Sequence, residues 1–240
     1  MRVSIPCTLS WEYFETIMDA PTAIVIGHSF VKRLSHWIGS HHSMAPTHPG
    51  QLCDNLREIN LLGVSGLFAS EIHEGDFLFQ ASRHDIVILD CGTNDLANDI
   101  PIRTVMNNVF LFARRCLEEG TTIVFILSVL PRTRRIKSTD TQFLTKVREY
   151  NNLMKSTCVP EPNISFHRQS GFSNVQEWSE DGIHPSPNVL SNGRSGMTKY
   201  SNSIKTALHR AVHRHRFLHH DQALQVFIIT LQSFSDSPTT

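Results

Sequence analysis

The sequence predicts an α/β domain built on a parallel sheet with helices on both faces. Three observations predict it. Short runs rich in Val and Ile recur along the chain, and segments of helical length separate them. The strong runs are also nearly continuously apolar, which suits strands covered on both faces rather than half-exposed strands, where apolar and polar residues alternate. Strand alternating with helix is the pattern of βαβ units.

The elements follow in order. Thr22–Gly27 (TAIVIG) is the first predicted strand, and Ile59–Leu62 (INLL) a short second. Asp85–Cys91 (DIVILDC) is the third, Thr121–Val129 (TTIVFILSV) the fourth, and Asn163–His167 (NISFH) a weaker fifth. Helices are expected near Phe30–Ile38, Gly66–Gln80, Ile102–Glu119, Thr141–Lys155 and Met197–Arg214. Asp140 stands where an N-cap would open the fourth of these. Gly120 stands where the third should end. Residues 21–216 read as one domain, with an N-terminal extension over 1–20 and a C-terminal extension over 217–240. The C-terminal extension carries a β-prone apolar segment, Val226–Leu231, which would dock on the core, pair with another chain or stay poorly ordered.

Composition sets bounds on function. A chain of 240 residues is long enough for one large domain with a buried core. Lys+Arg and Asp+Glu are equal at 22 each, so no net field draws the whole chain to nucleic acid or acidic lipid. Its five cysteines (Cys7, Cys53, Cys91, Cys116, Cys158) are odd in number and show no CxxC spacing, which argues against a disulfide framework or a zinc knuckle. Cys91 and Cys116 lie in apolar stretches and read as small core side chains. No apolar run approaches the roughly 20 residues a helix needs to span a bilayer. Glu12, Glu15 and Asp19 interrupt the place where a signal peptide would be apolar, so a reducing, cytoplasmic location is expected.

Four short blocks carry the chemistry. Gly27-His28-Ser29 directly follows the first strand. Gly63, in Leu61-Leu62-Gly63-Val64-Ser65-Gly66, follows the second, and Gly92-Thr93-Asn94-Asp95 follows the third. Asp181-Gly182-Ile183-His184 lies near the end of the regular part. In parallel sheets, ligands bind beyond the carboxyl ends of the strands, so the first three blocks should converge there. Ser29 at a strand-to-helix turn could act as a nucleophile, given a base to take its proton. His184 is the candidate base. Asp181, three residues earlier, could accept from its ring and stabilise the imidazolium. Gly63, which has no Cβ, and the side-chain amide of Asn94 are candidate oxyanion donors. Taken singly, these blocks read as a helix cap, a turn glycine, a polar turn and a surface turn. It is their joint occurrence, in this order on one sheet edge, that points to a serine hydrolase.

The set resembles the SGNH (GDSL-type) hydrolase superfamily, over roughly Pro21 to Arg214. Gly-Thr-Asn-Asp and Asp-Gly-Ile-His-Pro are its most specific blocks here. The resemblance implies a three-layer α/β/α sandwich of flavodoxin-like type with a five-stranded parallel sheet. It also implies a Ser29–His184–Asp181 triad, and an oxyanion hole formed by the Ser29 N–H, Gly63 and Asn94. The expected activity is ester hydrolysis through an acyl-enzyme on a small ester substrate, without cofactor or metal. One departure stands out: His28 replaces the usual aspartate of the first block, which puts the shape and electrostatics of the nucleophile loop in question. Gly-His-Ser-Phe with the basic pair Lys32 and Arg33 resembles an animal branch of the superfamily that includes domains encoded in retrotransposons. The Gly-x-Ser-x-Gly elbow of α/β-hydrolases is absent, since Val31 stands in the last glycine's place.

Other signals have plainer readings. The loop Leu130–Lys137, with Arg132, Arg134, Arg135 and Lys137, would rim the site and could attract a phosphate backbone; a solvated basic loop is the simpler reading. A non-catalytic SGNH-like domain binding RNA or protein is therefore the alternative, and a nucleic-acid partner is not favoured. Phe172 and Trp178 would either wall an acyl pocket or join the core. The histidine groups His41, His42, His48 and His213, His215, His219, His220 lack carboxylate or cysteine partners at a metal-ligand spacing.

Overall fold

The computed structural model describes residues 20–41, 52–131, 140–170, 172, 175–191 and 195–235. Five strands form one sheet: β1 (Thr22–Gly27), β2 (Glu58–Gly63), β3 (Ile86–Asp90), β4 (Ile123–Leu127) and β5 (Ile164–His167). Every pairing is parallel, and the order is β2-β1-β3-β4-β5. This is the flavodoxin-like order, whose strand sequence reverses beside β1. Each expected strand is present, and β1 keeps the expected bounds.

The helices are α1 (Ser29–His41), α2 (Phe77–Ser82), α3 (Thr93–Ala97), α4 (Ile102–Glu118), α5 (Asp140–Cys158) and α6 (Gly196–Ser235). Successive strand residues point to opposite faces, and each face has its own core. Ala23, Val25, Ile86, Ile88, Ile123 and Phe125 pack under α1 and α6, against Leu34, Ile38, Tyr200, Ile204 and Leu208. Ile24, Ile26, Val87, Leu89, Val124 and Ile126 pack under α4 and α5, against Val109, Phe112, Cys116, Tyr150 and Met154. Both faces are covered, as the continuous apolar runs required. Cys91 and Cys116 are buried and free, as are Cys53 and Cys158.

Two expectations fail. The helix expected over Gly66–Gln80 is broken into a loop, a 3-10 turn (Glu71–His73) and the short α2. Gly66 and Gly75 both adopt positive φ. Side chains also capture the loop's amides: Ala69 N donates to both Asp95 carboxylate oxygens at 3.0 Å, and Phe68 N donates to Glu71 Oε2 at 2.7 Å. Those bonds replace the helical ladder. The second failure is at the C-terminal end. The segment Val226–Leu231, read as β-prone, continues α6, a helix of 40 residues. Extending a formed helix costs far less than nucleating a strand with no neighbour to pair with, so local β-propensity loses. Gly120 ends α4 at φ 107°, as expected. No described helix is long and apolar enough to cross a membrane.

Candidate active site

Register brings the blocks together. Gly27, the last residue of β1, pairs with Gly63 at the end of β2 and with Asp90 at the end of β3. The three strands therefore end level, and the segments after them meet at one edge. They line a crevice of about 530 Å³ that holds Ser29, Ser65, Gly66 and Asn94, with Ile183 and His184 on its far wall.

Ser29 is the first residue of α1. Its Oγ lies 2.8 Å from His184 Nε2, across 155 positions of sequence. His184 Nδ1 donates to Asp181 Oδ2 at 2.6 Å. Because a carboxylate only accepts, the Nδ1 proton is placed by Asp181, and Nε2 of the neutral ring accepts from the Ser29 hydroxyl. Asp181 Oδ1 accepts from the backbone N–H groups of Ile183 (2.8 Å) and His184 (3.0 Å). Partial burial would raise the Asp181 carboxyl. The His184 backbone N–H, the imidazole and the Ile183 N–H outweigh it and hold the group down at about 2. Asp181 is thus ionised throughout the neutral range.

The loop bearing this pair is held at both ends. Ser179 N donates to His184 O at 2.8 Å and Ser186 N to Glu177 O at 2.7 Å, while Trp178 bridges Pro185. Phe30 lies edge-on to the imidazole, with ring centroids 5.7 Å apart, and also contacts Trp178 and Tyr200 edgewise. Phe172 and Trp178 belong to the core on this face of the sheet and do not line the crevice.

Asn94 opens onto the crevice from α3 and donates from Nδ2 to Leu67 O at 3.0 Å, which orients the amide. Gly63 is placed differently from the sequence expectation. It is not among the crevice-lining residues, and a Cβ there would sit 2.1 Å from Lys32 N and 2.6 Å from Lys32 Cα. The residue is a glycine because β2 and α1 touch backbone to backbone. Gly66, three residues on, does line the crevice, at φ 82° with nothing near its Cβ position. The sequence signal for Gly66 was present in the same block, as the last residue of Gly-Val-Ser-Gly. Asp95, not singled out from sequence, holds the Gly66 loop through Ala69 N. Burial raises its carboxyl above the ordinary range.

His28, the residue before Ser29, is fully buried. Its Nε2 is 3.8 Å from Asp90 Oδ1, and Asp90 also accepts from the Tyr200 hydroxyl on α6. Burial pushes the Asp90 carboxyl up to about 6, against the Tyr200 bond that lowers it. Arg132, Arg134, Arg135 and Lys137 lie outside the described residues.

Comparison with known proteins agrees with this fold. The model of the GDSL-like Lipase/Acylhydrolase family matches residues 25–188. No curated protein matches the chain. Among solved structures, a GDSL-like lipase from Bacteroides thetaiotaomicron is 18% identical, covers 85% of this chain and 96% of its own, and superposes with a TM-score of 0.51. A carbohydrate acetylesterase from Sinorhizobium meliloti is 15% identical, with coverage of 79% and 98% and a TM-score of 0.53. A carbohydrate esterase family 3 protein from Talaromyces cellulolyticus is 17% identical, with coverage of 80% and 97% and a TM-score of 0.51. At these identities the solved structures speak for the fold, whereas the family match spans well over half of the chain. The chain belongs to the GDSL-like lipase/acylhydrolase family and is an SGNH-type hydrolase acting on ester bonds.

Proposed function

We propose that the protein is a serine esterase that works through an acyl-enzyme, with Ser29 as nucleophile, His184 as general base and acid, and Asp181 as the carboxylate that orients and stabilises the imidazole. One observation carries this reading: the continuous hydrogen-bonded line from Ser29 Oγ through the His184 ring to Asp181, at 2.8 and 2.6 Å. Ser29 Oγ attacks the ester carbonyl carbon as its proton passes to His184 Nε2. The carbonyl oxygen becomes an oxyanion, held by the backbone N–H of Ser29 at the start of α1, the N–H of Gly66 and the amide of Asn94. The glycine donor in this scheme is Gly66, because Gly63 is occupied in packing against α1. Collapse of the tetrahedral species breaks the ester C–O bond, and the imidazolium gives its proton to the departing alcohol. Water then attacks the acyl-enzyme with His184 again taking the proton, and the acid leaves with Ser29 restored.

The crevice of about 530 Å³ opens directly at Ser29, which supports an ester of ordinary small-molecule size as substrate. Of the two features that motivate a non-catalytic binding domain, the basic loop lies outside the described residues and His28 is buried against Asp90.

A fluorophosphonate probe should label wild-type protein at Ser29, and the protein should hydrolyse short p-nitrophenyl esters. Ser29→Ala should lose both. A folded wild-type protein that shows neither labelling nor turnover refutes the esterase reading.

A further inference from the structure

The crevice is electrostatically one-sided. Lys32, Arg33 and His36 follow Ser29 along α1 at i+3, i+4 and i+7, one stripe of the helix surface, and all three line the crevice that holds the nucleophile. With a rise of 1.5 Å per residue, their Cα atoms stand roughly 4.5, 6 and 10.5 Å along the axis from that of Ser29. No lining residue is a carboxylate. Asp181, the carboxylate that binds the crevice's His184, is engaged with that ring, and Arg33 Nη2 reaches it at 3.8 Å. Lys32 forms no ion pair with a carboxylate among the described residues. His36 Nδ1 donates to Lys32 O at 2.8 Å, which holds the ring against the preceding turn of the helix.

A solvated helix face would account for polar side chains here, but not for their sign or position. The segment Ser29–His41 contains no Asp or Glu, and its Lys and Arg sit near the helix N-terminus. There the macrodipole gives cations no support. The chain as a whole is balanced in charge, so the excess at the crevice is local.

We propose that this stripe recognises a negative charge on the substrate. The ester that the enzyme prefers carries a carboxylate or phosphate group roughly 5–10 Å from the scissile carbonyl. Lys32 is the principal contact, with Arg33 and His36 adding to it. This rests on the esterase reading above and narrows its substrate class. An anionic group held there also aligns the ester along α1, with its carbonyl over Ser29.

The test compares charged and neutral esters in two pairs: mono-4-nitrophenyl adipate with 4-nitrophenyl hexanoate, which places the charge on the acyl side, and 4-acetoxybenzoate with 4-acetoxybenzamide, which places it on the alcohol side. The readout is the ratio of kcat/KM for the charged to the neutral member. Taking that ratio in the variant relative to wild type cancels both the intrinsic reactivity of the esters and the amount of folded enzyme. Lys32→Gln should lower the ratio about tenfold in at least one pair, and that pair identifies the side of the ester that carries the charge. Lys32→Arg should hold the ratio near wild type, and raising salt to about 0.5 M should shrink the wild-type ratio toward that of Lys32→Gln. If the ratios of both pairs stay unmoved in Lys32→Gln and in Lys32→Gln/Arg33→Gln while the neutral esters are still hydrolysed, the anionic-substrate proposal is overturned and the esterase reading survives. If wild type hydrolyses none of the four and Ser29 takes no fluorophosphonate, both readings fall.

Discussion

Asp181 illustrates how a short loop can set the tautomer of a histidine. Spacing of three residues lets one oxygen cap the backbone of Ile183 and His184 while the other receives the ring. The same contacts keep the carboxyl ionised and fix the tautomer of His184. Asp181→Asn preserves the shape but offers the ring an amide that can both donate and accept, so the tautomer is no longer set. We expect kcat to fall by about 10³–10⁴-fold with KM little changed, read by steady-state kinetics on a p-nitrophenyl ester. Asn94 should behave as a donor to the transition state. Asn94→Ala is expected to cost about 10²–10³ in kcat, roughly 3–4 kcal/mol, again with KM nearly constant. A loss confined to KM would instead place Asn94 in ground-state binding.

At the scale of elements, two glycines in one block have separate physical tasks. Gly63 lets β2 and α1 meet, and a methyl group there runs into Lys32 backbone that cannot step aside without moving the whole helix. Gly63→Ala should destabilise the fold by about 2–3 kcal/mol, lowering Tm by several degrees in thermal unfolding. Gly66 has open space around it but a positive φ, so Gly66→Ala should cost only about 1–2 kcal/mol of strain. It should nevertheless lower kcat at least about tenfold, because the strained loop re-aims its N–H. The two variants therefore separate stability from rate. Equal effects of both on Tm and kcat would contradict the assignment. The hydrogen bonds from Ala69 to Asp95 and from Asn94 to Leu67 explain how loop and short helix hold each other in register.

Across the whole molecule, the buried group Asp90 links the sheet, the nucleophile turn and α6. It ends β3, faces the His28 ring and accepts from Tyr200. Its folded value of about 6 stands above its ordinary 3.8, so the folded state holds this proton more tightly than the unfolded chain. The resulting stabilisation is fully present below about pH 3.8 and is lost as pH rises through about 6. Asp181 works in the opposite sense: its value of about 2 adds stability that is present above about pH 3.8 and is lost as pH falls through 2. Between pH 4 and 6, then, Asp90 should make stability decline with rising pH by up to about 3 kcal/mol, trimmed by any positive charge on His28. Asp90→Asn should flatten that decline, measured as ΔG of urea unfolding at pH 4, 5, 6 and 7. A variant with the wild-type slope would exclude Asp90 as its source.

Much of this architecture was legible from apolar runs alone, because a strand buried on both faces has little choice but Val, Ile and Leu. The set of Ser29, Asn94, Asp181 and His184 was equally legible, because their blocks occur jointly and in order, although each alone reads as an ordinary cap or turn. The segment 66–80 was not legible. Its amides are held by Asp95 and Glu71, and no local pattern reveals that a side chain 26 residues away will outbid a helix. The role of Gly63 was hidden for the same reason: a turn glycine and a packing glycine look identical until α1 is laid across β2. By itself, then, the sequence determined the parallel α/β class, the strand count and the family to which the chain belongs. Only the tertiary structure decided which glycine faces the crevice, that Lys32, Arg33 and His36 share that crevice with Ser29, and that His28 is buried against Asp90, because each depends on contacts between segments whose relative placement is set by packing across the sheet.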